Sequence, residues 1–512
     1  SSAMVQPWPT SARKPRMLHR RGVVHFFFNP RSIIDGADSR RADGAAAAVS
    51  LPSIAVDGAI LGANARLRMA VCGLNGRGGS HIGGFGGDKR VELAWLIDPD
   101  ENGLKRRLRG RKNCQGDANF RKALADKNVD AISVAAPNHW HSLMTIEAAQ
   151  AGKHCYVEKP ASHDVYEGAV ATAAWKKYKV VIQHGTQQRS DARVAGLHDL
   201  IHKGKFGKLK ISYGYCCKPR GGIGKNRAGE PPKHLDWDLW KGPAKVKEYH
   251  SNYVHYNWHW FWDTGNGDLN NQGTHQLDRA RWAIDKDQTH PVRTFALGGR
   301  FNNKQNQWNN DEGETPNSMF AAAEYPNGQW VFFNVRNVNY KGYPRQVENE
   351  YYFEDGGRII RDRYYPKGSN NAEKISIPAG KVTPGGNWRS FISACIAGDQ
   401  MMANGNMEEA HYGCVLGHIM NNSYRIGKEA PFNEKAGKYG DDKDVHEHFM
   451  KLHSIMRDGC GVPENKAKYI VGPELAFDPK TEMFTGENSE EANKLLRDPN
   501  RKGFEVPDIA KV

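Results

Sequence analysis

Glu158-Lys159-Pro160 follows the apolar pair Tyr156-Val157, and three other elements stand before it. The turn Gly73-Leu74-Asn75-Gly76-Arg77-Gly78 follows the apolar run Met69 to Cys72. Asp98 closes a second apolar run, Val91 to Ile97, twenty residues beyond Gly78. Pro137-Asn138-His139-Trp140-His141 closes a third, Ala131 to Ala136. Each lies at the carboxyl end of an expected parallel strand, where open α/β sheets bind ligands. A turn with little side chain lets a pyrophosphate approach the backbone, and the next helix offers free N–H groups and its positive dipole end. Asp98 is placed to accept hydrogen bonds from a ribose diol. Asp100 nearby, and the lack of an Arg directly after Asp98, argue against a ribose 2′-phosphate and favour NAD over NADP. Position 75 is Asn where the dinucleotide fingerprint has its second Gly. Asn tolerates positive φ better than other residues with a Cβ, so the turn is expected to survive with its backbone further from the phosphate. The cofactor contacts expected are Gly73, Asn75, Gly76, Arg77, Gly78, Asp98, Pro137, Asn138, His141, Glu158, Lys159 and Pro160.

Two more motifs lie downstream: Gly185-Thr186-Gln187-Gln188-Arg189, and Asn271-Gln272-Gly273-Thr274-His275-Gln276-Leu277-Asp278. With the elements above, from about Arg66 to Phe432 and again near Phe477, they resemble the Gfo/Idh/MocA oxidoreductases, relatives of glucose–fructose oxidoreductase and inositol dehydrogenase. The resemblance implies that Lys159 lies near the nicotinamide and the hydroxyl that is oxidised. Oxidation of an alcohol needs a group to take its proton, and a lysine beside a cationic ring has a lowered pKa. Many members carry Asp-x-Gly-x-His-x-x-Asp, whose Asp and His relay a proton. Here His275 and Asp278 are kept, but Asn271 stands in the first place. Asn takes no proton at neutral pH, which puts a relay through position 271 in doubt; it can still hold a sugar hydroxyl or orient His275. His275 is the first candidate for general acid/base and Lys159 the second. The plainer reading of His275 is a buried helix histidine bonded to backbone.

Tyr256-Asn257-Trp258-His259-Trp260-Phe261-Trp262-Asp263 precedes this motif. Alternating Trp and His suggests a strand-like or irregular segment with one aromatic face. Such faces stack on pyranose C–H groups while Asp and His fix hydroxyls, the mixed character of small-molecule sites; the alternative is an aromatic core plug. The substrate contacts expected are Tyr256, His259, Trp260, Trp262, Asp263, Gln272 and His275. Asp263 and Asp268 are the nearest carboxylates able to replace the missing Asp. No metal site is expected. His198 and His202 lack a third ligand, and His446, His448 and His453 fit a solvated helix, with His448 pointing away from the other two.

The chain has 512 residues, 39% of them hydrophobic, enough for two or three domains. Its net charge of +15 is spread out, with no basic run interleaved with aromatics, which argues against nucleic-acid binding. The eight cysteines lack metal spacing and a disulfide framework. No apolar run spans a bilayer. Arg20-Arg21 before Val23 to Phe28, and Ser39-Arg40-Arg41 before an Ala-rich stretch, are similar to twin-arginine export signals, though Asp43 and Asp57 interrupt the apolar region. Residues 1–62 are therefore expected to be a leader or disordered segment, giving a periplasmic or exported protein; a cytoplasmic one is the alternative.

Strands alternate with helices over 63–190, the pattern of a Rossmann-type parallel sheet. Residues 191–432 shift to strands, as in the family's second domain, an open, mostly antiparallel β-sheet; its late helices pack back on the first domain. Residues 433–512 are expected to be an insertion and a C-terminal tail. The fold class is α/β plus α+β. The resemblance further implies a dimer or tetramer made through the second sheet. The function expected is NAD-dependent oxidation of a sugar or glycoside hydroxyl, with NAD held tightly or exchanging. One alternative is an NAD-dependent glycoside hydrolase working by transient oxidation and elimination; another is a non-catalytic nucleotide- or sugar-binding protein.

Overall fold

The structure, a computed structural model, describes residues 66–512 apart from 221, 226–227, 302–310, 339–345, 438 and 440–441. The leader expected over 1–62 lies outside the described residues, as do parts of the Gly/Pro/Lys-rich stretch 219–232 and of the polar stretch 302–317, whose composition reads as loop.

Six strands form the first sheet: β1 (Leu67–Cys72), β2 (Val91–Ile97), β3 (Gln115–Asp117), β4 (Ala131–Val134), β5 (His154–Val157) and β6 (Ile182–His184). All pair in parallel, in the order β3-β2-β1-β4-β5-β6. Helices cover both faces, so β1, β4 and β5 are buried almost throughout and read as continuous apolar runs. In this order the chain reverses direction between β1 and β4, and their carboxyl ends open a crevice.

The helix Asn138–Gln150 begins five residues before the Leu143 start that its apolar pattern suggests. Its first turn is buried on all sides, Asn138, His139, Trp140 and His141 included, so no polar stripe marks it in the sequence.

The second sheet holds β7 (Leu209–Cys217), β8 (Arg293–Gly299), β9 (Ser318–Glu324), β10 (Trp330–Arg336), β11 (Gln346–Phe353), β12 (Arg358–Ile360), β13 (Arg363–Tyr365), β14 (Glu373–Lys374), β15 (Lys428–Pro431), β16 (Lys468–Val471), β17 (Leu475–Asp478) and β18 (Met483–Thr485). Among these only β7 and β10 pair in parallel. One face packs on the helices Ala192–His202, Gly273–Ala283 and Met407–Arg425. On the other face Phe295, Phe320 and Phe332 meet Phe432, Val445, Phe449, Leu452 and Tyr469. The helix Lys443–Ser454 is thus amphipathic and docked rather than solvated: His448 and His453 are buried, their polarity having hidden the apolar spacing of Val445, Phe449 and Leu452.

The helix Met407–Arg425 serves both domains. Met407, Ala410 and Cys414 enter the first domain's core, and Leu416, Met420 and Tyr424 the second's. Residues 433–512 are woven into both as well, adding β16 to β18 and then placing Phe504, Val506 and Val512 in the first domain's core. No helix among the described residues is long and apolar enough to cross a membrane.

Candidate active site

The glycine-rich turn leads from β1 into the helix Arg77–Gly86. Gly73 has φ +83°, and a Cβ there would lie 2.6 Å from the Ala135 carbonyl oxygen, so only glycine lets β1 close against β4. The second positive φ falls on Gly76 (+41°), not on Asn75, which keeps an ordinary backbone. Nothing lies within 4 Å of where a Gly76 Cβ would be, and the helix opens without a side-chain cap. An exposed backbone and uncapped N–H groups are what a pyrophosphate needs. Asn75 instead meets the Arg106 guanidinium at 3.4 Å and the His255 ring at 3.2 Å. Asp98 is buried at the end of β2, taking hydrogen bonds from the Leu74 and Asp100 amides at 2.8 and 2.9 Å. Burial pushes its carboxyl pKa up, and those two amides oppose the shift.

Glu158 turns back onto that helix. Its Oε1 accepts from Arg77 Nε at 2.6 Å and lies 3.2 Å from His81 Nε2. Burial pushes the carboxyl up, but His81, Arg77 and Lys159 outweigh it and hold Glu158 well below the usual carboxylate range. His141 braces the same corner from below, between the Pro160 carbonyl at 2.5 Å and the Ala136 carbonyl at 2.8 Å.

Lys159 Nζ donates to Asn271 Oδ1 at 2.8 Å. Asn271 Nδ2 in turn donates to Asp268 Oδ1 at 3.0 Å. Asp268 is fully buried, gripped by Arg220 Nε at 2.7 Å and by the Asn337 amide. The carboxylate absent from position 271 therefore stands one hydrogen bond further back. Burial pulls Lys159 down to about 8; the Lys218 and Arg77 charges add to this, and Glu158 and Asp268 oppose it. His275 is brought to the same cavity by the first turn of its helix, and burial and the Lys159 charge pull it down to about 3. It is a neutral imidazole at physiological pH.

These groups line one cavity of about 630 Å³ between the two domains. Of the expected residues, Gly73, Asn75, Gly76, Arg77, Asp98, Pro137, Asn138, His141, Glu158, Lys159, Tyr256, His259, Asn271, Gln272 and His275 all face it. Gly78 and Pro160 do not; Gly78 packs beneath the turn, where a Cβ would sit 1.9 Å from the Gly73 oxygen.

Trp260, Trp262 and Asp263 also stay outside. Their segment is a short 3-10 helix, Asn257–Trp260, not a strand, so alternate residues do not share a face. Trp260 lies under the Arg220 guanidinium at 5.1 Å, Trp262 under that of Arg425 at 4.9 Å, and Asp263 is exposed. The aromatic wall comes instead from Trp140, Trp240, Trp258 and Tyr256, with His259 stacked on Trp258 at 3.6 Å.

Lys218, Arg220, Trp240 and His255 also line the cavity without having been foreseen. They come from a stretch with no periodicity, which crosses the nucleotide edge. There His234 Nδ1 and His255 Nε2 meet the Asp100 carboxylate at 2.9 and 3.1 Å, and Asp236 N donates to the Pro99 carbonyl at 2.9 Å.

A doubly wound nucleotide domain and an open-sheet domain, with lysine and histidine facing each other between them, define a two-domain dinucleotide-binding protein. Residues 67–186 match the family model for the oxidoreductase-family NAD-binding Rossmann fold, and residues 214–304 its C-terminal alpha/beta domain. Residues 67–186 and 214–304 thus carry the two domains of the Gfo/Idh/MocA oxidoreductase family, the first of them the domain that binds NAD. The backbone cradle, the buried Asp98 and the cavity's size fit that cofactor. The chain is 26% identical over 167 residues to the levoglucosan dehydrogenase of Pseudarthrobacter phenanthrenivorans, covering 33% of this chain and 36% of that one. It is 27% identical over 155 residues to a glycosyl hydrolase family 109 protein of Shewanella baltica, covering 28% and 33%. The chain thus spans about a third of these relatives' length. The WlbA dehydrogenase of Bordetella pertussis, solved with NADH and UDP-GlcNAcA, shares the fold at a TM-score of 0.50 and 20% identity, covering 70% of this chain and 97% of that one.

Proposed function

We propose that this protein oxidises a hydroxyl of a sugar or glycoside at the cavity between its two domains. The carrying observation is Lys159, its pKa pulled down to about 8 and its ammonium held by Asn271 at the mouth of the NAD cradle. NAD, when bound, supplies the hydride acceptor. Lys159 Nζ, as the free amine, takes the hydroxyl proton. His275, neutral, accepts a hydrogen bond from the substrate or shares that proton. Asn271 keeps Lys159 pointed into the cavity, and Asp268 sets the charge behind it. Gln272 and the ring faces of Tyr256 and Trp258 hold the sugar. The levoglucosan dehydrogenase likeness supports this substrate class.

A second reading is supported by the stretch that crosses the nucleotide edge. A cofactor covered by the His234–Asp100–His255 contact exchanges slowly, which suits chemistry with no net redox change. In that chemistry the transient ketone acidifies its neighbouring C–H, the glycosidic leaving group departs, water adds and the ketone is reduced again. The likeness to a glycosyl hydrolase family 109 protein agrees with it. The leader read over residues 1–62 would carry the protein to the periplasm, away from exchanging NAD. Incubation of the purified chain with NAD and a glycoside panel, with products weighed by mass spectrometry, tests both. A product lighter by two hydrogens, with matching NADH or a reduced second substrate, supports the oxidoreductase. Free sugar and aglycone without NADH support the hydrolase. Binding with no product from any glycoside would sink both in favour of a binding protein.

A further inference from the structure

Three residues far apart in the chain converge on a point outside the cavity. His290 Nε2 lies 3.0 Å and His411 Nε2 2.8 Å from one and the same atom, Glu482 Oε1. The three ligand atoms all fall within 4.8 Å of one another. His290 precedes β8, His411 is on the helix Met407–Arg425, and Glu482 ends the turn between β17 and β18. The two histidine side chains are 2% and 4% exposed, whereas that of Glu482 is 24% exposed and leaves one side open.

We propose that His290, His411 and Glu482 bind one zinc-like divalent transition ion, with water as the fourth ligand. Two imidazole nitrogens and one carboxylate oxygen are a zinc donor set, and imidazole disfavours magnesium and calcium. Tetrahedral bonds of about 2.0–2.2 Å hold ligand atoms roughly 3.3 Å apart. The two N···O separations, 3.0 and 2.8 Å, need only a few tenths of an ångström of outward movement, and the two imidazole nitrogens lie no more than 4.8 Å apart.

Glu482 is held at φ +54°, which residues with a Cβ seldom adopt, and this turns its carboxylate back onto the histidines. Asp478 braces the turn, accepting from Lys480 N at 3.0 Å and Thr481 Oγ1 at 2.8 Å. Metal binding requires an ionised carboxylate and neutral imidazoles. Burial pushes the Glu482 carboxyl up, but the two histidines outweigh it and keep it ionised; burial keeps His290 neutral. A bound ion would staple the β17–β18 hairpin to the helix shared by both domain cores.

The test uses tag-free full-length chain, stripped with a chelator and titrated with zinc and with cobalt(II). One equivalent of zinc, a rise in Tm on adding it, and the visible absorption of four-coordinate cobalt are expected. Glu482→Gln keeps the shape of the triad, and its zinc affinity should fall at least about 100-fold, beyond the loss of an outer partner. If the wild type takes up no equivalent of zinc, or Glu482→Gln binds it as tightly, the triad is two imidazole N–H groups on a carboxylate and the proposal is overturned. Should the variant not fold, X-ray absorption of the zinc-loaded wild type decides, two imidazoles in the zinc shell supporting the site and fewer overturning it.

Discussion

Asn271 shows how a changed residue can keep a site's electrostatics. Asn cannot relay a proton, yet it passes the field of Asp268 to Lys159 through two hydrogen bonds. Two predictions belong at this scale. Lys159→Ala removes the proposed proton acceptor and should lower kcat by about 10²–10⁴-fold, with NAD still bound, as steady-state kinetics and cofactor content would show. In the proposed reaction the free amine is the active form, so kcat should rise with pH and level off above about 8. Asp268 opposes the downward shift of Lys159, so Asp268→Asn should move that midpoint to lower pH. A midpoint that stays put or moves up, read from the pH–rate profile, would separate Lys159 from the titrating step.

At the scale of elements, two motifs that look independent in the sequence form one joint. Arg189, from the Gly185–Arg189 motif, grips Asp278, the last residue of the second, through Nε at 2.9 Å and Nη2 at 2.9 Å. Both are almost fully buried, and Arg189 also reaches Glu409 at 3.1 Å. The Asp kept from the family pattern thus orients the helix that presents His275; it does not line the cavity. Asp278→Ala leaves a buried guanidinium short of its main partner and should cost about 3–5 kcal/mol, measured by urea unfolding. Asp278→Asn should recover part of that loss by keeping a hydrogen bond.

The whole molecule is tied together by segments that visit both domains. The stretch from His234 to His255 belongs in sequence to the second domain but latches onto Asp100 of the first. Asp100→Ala removes both imidazole contacts, and NAD release should quicken by roughly tenfold, followed by stopped-flow fluorescence. An unchanged rate would mean that this cover does not govern release. The second sheet's outer face, which the family resemblance connects with oligomer contacts, is covered here by the chain's own Phe432, Val445, Phe449, Leu452 and Tyr469. Phe449→Ala should therefore cost about 3–5 kcal/mol with no change in molar mass by light scattering. A drop in mass would place a subunit contact there instead.

The nucleotide half was legible in the sequence because its signals are local. A parallel strand buried on both faces must be an apolar run, a turn at positive φ calls for Gly, and cavity-lining residues follow at the strand ends. Gly73, Asp98, Lys159 and their strands could thus be read from short windows. Asp355-Gly356 between Phe353 and Ile359 is a local hairpin signal of the same kind, and β11 and β12 do pair across it. What tertiary structure alone decided depends on residues brought together from far apart. Asp268, three residues before Asn271 and already a candidate in the sequence, reaches Lys159 only because Asn271 is packed against a lysine 112 residues away, and Trp260 and Trp262 leave the cavity because their segment coils. The cover over Asp100 comes from a stretch without periodicity, and the helix Lys443–Ser454 docks although its histidines make it read as polar. Hydrophobic period and turn chemistry act over a few residues, whereas the walls of a cavity are chosen by which elements finally pack against each other.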